Sequence, residues 1–128
     1  MSSELTILAI LGIALVVFRL IQILTAQSQV GLAMLVSSRD TMPELTGVAA
    51  RMQRAMDNSI AALAMFAPAV LILHAQGALT ANSLLAAQVF LIARILYVPV
   101  YAAGIPWLRT VVWITGFAMT AWLYLMAL

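Results

Sequence analysis

Apolar residues dominate four stretches of the chain, and polar residues interrupt them in blocks. Leu5 to Ala26 forms the first, Ser59 to Leu73 the core of the second, about Thr80 to Val100 the third and Trp107 to Leu128 the fourth. A helix rises 1.5 Å per residue and needs ~20 mostly apolar residues to cross a hydrocarbon core. The pattern therefore predicts an all-α fold, a transmembrane four-helix bundle, with spans over about 5–26, 47–73, 80–100 and 107–128 in one membrane domain, 1–128. The polar block Ser37 to Leu45 marks the one substantial loop, and Pro43 is expected in the first turn of the second helix, after Thr41 or Met42. Gly77 is the expected cap of the second helix, and Ala102-Ala103-Gly104-Ile105-Pro106 is a short turn into the fourth. The opening Met1-Ser2-Ser3-Glu4 lacks the positive region of a secretory signal, so the first span is expected to be a retained anchor.

Composition narrows the function classes. About two thirds of the residues are apolar (66%) and only 8% are charged, too few to clothe a soluble domain. Six arginines against four acids leave a net charge of +2, with no lysine, and the arginines are spread along the chain, which argues against nucleic acid binding. Without cysteine there is no disulfide, thiolate metal site or cysteine nucleophile, and a lone His74 at a helix end makes no metal site. Arg39, Arg51 and Arg54 lie at the first connection and Arg109 at the third. The N-terminus, the Gln76 turn and the C-terminus carry no basic side chain. By the positive-inside rule, the first and third connections are cytoplasmic and both termini periplasmic, as in a bacterial inner membrane.

The residues that break the apolar pattern are the candidates for chemistry. An arginine at the centre of a span costs at least ~2.5 kcal/mol on insertion, so Arg19 and Arg94 require a partner or a wet cavity. Arg19, Gln22, Ala26 and Gln29 form one stripe expected to face other helices, with Arg19 paired to Gln22 or to a neighbouring helix. Arg51, Arg54 and Asn58 lie within two turns of the second helix, while Arg94, Tyr97 and Tyr101 follow i, i+3, i+7 on the third. Both faces can converge on one anionic ligand near the cytoplasmic membrane surface. A plainer reading makes Arg51, Arg54 and Asp57 an interfacial ion-pair network, and Arg109 beside Trp107 a positive-inside anchor. Pro99 removes a bond to the Ile95 carbonyl and is expected to bend the third helix beside Tyr97 and Tyr101.

Two segments carry a family resemblance. Arg51-Met52-Gln53-Arg54-Ala55-Met56-Asp57-Asn58 resembles the RxxRAxxN signature of the MAPEG family, the membrane-associated proteins of eicosanoid and glutathione metabolism. Ala93-Arg94-Ile95-Leu96-Tyr97-Val98-Pro99-Val100-Tyr101, followed by Gly104-Ile105-Pro106-Trp107-Leu108-Arg109, resembles that family's third helix and the start of its fourth. The resemblance implies a left-handed bundle assembled as a homotrimer, with glutathione as co-substrate in a cleft between protomers on the cytosolic side and a lipophilic small molecule as second substrate. It implies that Arg51, Arg54, Asp57 and Asn58 hold the tripeptide, that Arg94, Tyr97 and Tyr101 line the cleft from the adjacent subunit, and that Arg109 stabilises the thiolate.

Departures from the family pattern shape the expected function. The usual NxxE continuation is replaced by Asn58-Ser59-Ile60-Ala61, leaving Asp57, one turn earlier, as the acid that could substitute. Gln27 and Gln29 stand where eicosanoid-forming members carry basic residues, which argues against a leukotriene-type role. The leading expectation is a glutathione transferase or peroxidase acting on lipophilic electrophiles or hydroperoxides. The alternative is a non-catalytic scaffold that assembles with itself or binds lipid or protein. A transporter is less attractive for four short spans without internal repeats.

Overall fold

The computed structural model describes residues 3–128. The chain forms α1 (Ser3–Val30), a short α2 (Leu32–Val36), α3 (Gly47–Ala75), α4 (Ala81–Ala102) and α5 (Pro106–Ala127). Four of these, α1, α3, α4 and α5, are long and apolar enough to span a bilayer. Less than half of the most apolar window of each is buried within the chain. Most of every span therefore faces lipid or other protein, where an apolar surface carries no penalty.

The first helix is longer than its apolar run. Its 28 residues rise about 42 Å, more than a ~30 Å hydrocarbon core, so the polar turns Thr25 to Gln29 emerge among headgroups. On the stripe expected to face inward, Gln22 and Ala26 are buried and Arg19 donates to Gln22 Oε1 at 2.9 Å. Gln29 reaches the far end of the loop. Its Nε2 donates to Thr46 O (2.7 Å) and its Oε1 accepts from Thr46 N (3.0 Å).

That pair of hydrogen bonds corrects the expected start of the second spanning helix. Pro43 does not open a helix; the chain stays non-helical to Thr46, which caps α3 in an extended conformation. With its amide and carbonyl both engaged by Gln29, Thr46 is held at φ −128° and ψ 165°, and Gly47 turns the chain at φ 58° before right-handed helical dihedrals begin. The other boundaries follow local chemistry. Gly77 (φ 65°) and Gly104 (φ 76°) each occupy the left-handed position after a helix. After α3, Gly77 N bonds His74 O and Ala78 N bonds Leu73 O; after α4, Gly104 N bonds Tyr101 O and Ile105 N bonds Val100 O. Both are Schellman closures, which need a residue free of a Cβ clash at positive φ. The helix α4 continues through Pro99 to Ala102, and Pro106 opens α5 in its first turn, where no amide donor is required.

The core lies between the spans toward the end that holds the termini. Phe66 on α3 and Phe90 on α4 stack with ring centroids 3.9 Å apart, surrounded by Leu11, Val70, Leu73 and Leu123. At that end Ser83, in the capping box of α4, donates to Glu4 Oε1 at 2.6 Å and so ties α1 to α4. Gln76 Nε2 donates to Ala127 O (3.1 Å) and Tyr124 Oη to Met65 O (2.7 Å), tying α5 to α3.

Candidate functional site

At the opposite end, the end of the first and third connections, α3, α4 and α5 diverge around a cleft of about 310 Å³. Each helix contributes a pair spaced i, i+4, which a helix places on one face one turn apart. These pairs are Arg54 and Asn58 on α3, Tyr97 and Tyr101 on α4, and Arg109 and Trp113 on α5, with Thr110 beside the last. No acidic residue lines the cleft.

Tyr101 organises the cations. Arg54 Nε donates to its hydroxyl oxygen at 3.0 Å, and the Arg54 guanidinium carbon lies 5.8 Å from its ring centroid. The Arg109 guanidinium carbon lies 4.6 Å from the same centroid. Two guanidinium groups thus share one aromatic ring, whose negative face partly offsets the cost of holding like charges close together. Both keep planar donor sets suited to carboxylate. Tyr97 packs edge-on against Tyr101, with centroids 5.6 Å apart, and closes the inner wall.

Arg94 sits behind that wall. It is 3% exposed, donates to Asn58 Oδ1 (3.0 Å) and Ser59 Oγ (2.9 Å), and lies beneath the Tyr97 ring at 4.2 Å. Ser59 can accept because its own proton goes to Ala55 O at 2.7 Å. Because Asn58 Oδ1 is taken by Arg94, the amide nitrogen of Asn58 is the group left for the cleft, so the position presents a donor. The Arg94 Nε is buried without a hydrogen-bond partner.

The candidate residues therefore divide. Arg54, Asn58, Tyr97, Tyr101 and Arg109 come together at the cleft. Arg94 supports Asn58 and Tyr97 from behind and does not itself line the cleft. Arg51 turns aside to the end of α4, its Nε donating to Ala102 O at 2.9 Å, where it satisfies a terminal helix carbonyl. Asp57 is exposed and outside the lining, so it supplies no acid where Ala61 leaves none. Within one chain Tyr101 already meets Arg54 and Arg94 meets Asn58, because α4 packs directly against α3. Thr110, Trp113 and the bridging Ser59 were not among the candidates. Trp113 is legible along the chain as the i+4 partner of Arg109.

Comparison with known proteins places the chain in a family. Neither the curated proteins nor the solved structures gave a match. The model of the MAPEG family, however, matches residues 5–128, nearly the whole chain and every residue of the cleft. With four spanning helices and this family match, the protein is an integral membrane protein that belongs to the MAPEG family.

Proposed function

We propose that the cleft binds glutathione and presents its thiolate to lipophilic electrophiles or hydroperoxides arriving from the membrane. The observation that carries this reading is the pair of guanidiniums, Arg54 and Arg109, set about Tyr101 in a cleft without a lining acid. A volume of about 310 Å³ lies at the lower end of the range for small-molecule pockets and suits a tripeptide. Glutathione brings two carboxylates and a thiol. Arg54 would grip a carboxylate, with the Asn58 amide donating to the peptide backbone. Arg109, across the cleft, would stabilise the sulfur as thiolate. A free thiol has a pKa of ~8.5, so only a few per cent is ionised at neutral pH. A guanidinium beside it raises the reactive fraction. The thiolate then attacks the electrophilic carbon, and the C–S bond forms as the bond to the leaving group breaks and that group departs with the electron pair. With a hydroperoxide it attacks the distal oxygen, the O–O bond breaks and the alcohol leaves; the sulfenate, once protonated, reacts with the thiol of a second glutathione to give the disulfide and water.

In this reading a homotrimer completes the cleft, the arginine-bearing end is cytoplasmic in a bacterial inner membrane, and both termini are periplasmic. The distribution of arginine supports that orientation. A second reading, a non-catalytic scaffold for assembly or lipid binding, is favoured by Ala61, since nothing in the lining would pair with the glutathione ammonium.

Calorimetric titration of the detergent-purified protein with glutathione, beside Arg54→Ala, tests the binding. Absence of saturable heat at millimolar ligand would sink it. A thiolate absorbance present in the wild type and lost in Arg109→Ala would separate the catalytic reading from the scaffold.

A further inference from the structure

Two arginines outside the cleft, Arg19 and Arg39, line a separate groove of about 450 Å³ between the last turns of α1 and the α2 segment with its following loop. It shares no lining residue with the cleft. We propose that this groove binds one anionic phospholipid, its phosphate held between Arg19 and Arg39 and an acyl chain laid along Ile23, Leu32 and Leu35.

Three observations point to that occupant. The first is charge without a counter-charge. Within the chain, Arg19 donates to the neutral Gln22 and Arg39 to the Leu35 carbonyl (2.9 Å), while the nearby Asp40 carboxylate accepts instead from Ser38 Oγ at 2.9 Å. Both arginines line a groove whose other walls are largely apolar; Glu44 lines the adjoining hollow with Arg39 and does not line this groove. An anion with hydrocarbon attached matches both halves of that lining; free phosphate matches only one, and a zwitterionic headgroup brings its own cation.

The second is position. Arg19 lies five residues before Leu24, about 8 Å along the helix, within reach of the phosphate layer for a long side chain whose stem lies in hydrocarbon. The short α2 exposes Leu32 and Val36, at 57% and 76%, an apolar surface that suits the membrane interface.

The third is strain. Arg39 is the one non-glycine residue with positive φ (64°) among the described residues. It is kept there by Met42 N bonding its carbonyl (3.1 Å) and by its own amide donating to Ser37 Oγ (3.1 Å). A large side chain in a conformation that glycine or asparagine adopts more readily indicates that the guanidinium itself is wanted at that point.

The test uses the full-length protein, purified in detergent, delipidated, and titrated separately with phosphatidylglycerol, phosphatidylcholine and inorganic phosphate. Phosphatidylglycerol is expected to bind and raise the thermal midpoint, with affinity falling about fivefold in Arg39→Gly and again in Arg19→Gln. Glycine accepts the positive φ better than arginine, so Arg39→Gly removes the charge without threatening the fold. Equal affinity for phosphatidylcholine, full reproduction of the effect by phosphate alone, or unchanged affinity in Arg39→Gly would overturn the proposal. So would a smaller oligomer in Arg39→Gly, which would give the groove to a second copy of the chain.

Discussion

The two ends of the bundle are built by different rules. At the end holding the termini, side chains close the structure: Phe66 stacks on Phe90, Ser83 joins Glu4, and Gln76 and Tyr124 bond the backbone across helices. At the other end Arg51 and Gln29 each satisfy a backbone group, but Arg54, Asn58, Tyr101 and Arg109 are arranged around open space. The difference teaches where the chain spends stability on packing and where it holds charge ready for something else. Like-charged guanidiniums on one tyrosine ring are tolerable in an open, wet cleft and would be costly in the packed half.

Breaking the packed end should move stability without touching the cleft. Phe66→Ala is expected to cost about 3 kcal/mol, through the cavity beside Phe90, while glutathione affinity stays within twofold. Chemical unfolding in mixed micelles and calorimetry read the two quantities. The reverse is expected of Arg54→Ala: about 2 kcal/mol of ligand affinity, roughly thirtyfold, with little change in the thermal midpoint, because the side chain is exposed. A collapse of stability in this variant would show that the open end is also structural. Ser83→Ala removes the side-chain acceptor for the Thr80 amide in the capping box and the donor to Glu4, with an expected loss of about 1.5 kcal/mol in the same unfolding measurement and no change in binding. The smallest effect is expected for Gln29→Ala, about 1 kcal/mol, seen best as faster amide exchange at Thr46 and in the first turn of α3. If exchange there is unchanged, something other than Gln29 sets the start of α3.

Arg94 joins the two ends and sharpens the contrast. It lies behind the cleft, and its bonds to Asn58 and Ser59 link ligand-facing side chains to the packed interior. Arg94→Ala should therefore lower stability and affinity together, the behaviour neither Phe66→Ala nor Arg54→Ala shows. Midpoint and titration measured on one preparation check this.

Much of this was legible along the chain. Hydropathy located all four spans, because a lipid-facing helix must be apolar on nearly every side. The i, i+4 pairing of Arg54 with Asn58 and of Tyr97 with Tyr101 follows from helix geometry alone. The start of α3 was missed at Pro43. A proline marks a permitted first turn, while the bonds that hold Thr46 extended come from Gln29, 17 residues away. Arg51 and Asp57 were read with Arg54 because they are near it in sequence, yet the helix turns Arg51 to the end of α4 and leaves Asp57 exposed outside the lining.

Sequence by itself determined the solvent of this protein, its four crossings, and the end of the bundle to which its charges belong. Those properties depend on transfer free energy and helical period, which are local. Tertiary structure alone decided which arginine faces the cleft, which supports it from behind and which caps a helix. Three guanidiniums of identical chemistry, on Arg51, Arg54 and Arg94, differ in role only through the carbonyl, hydroxyl or amide that a partner brings within 3 Å or so.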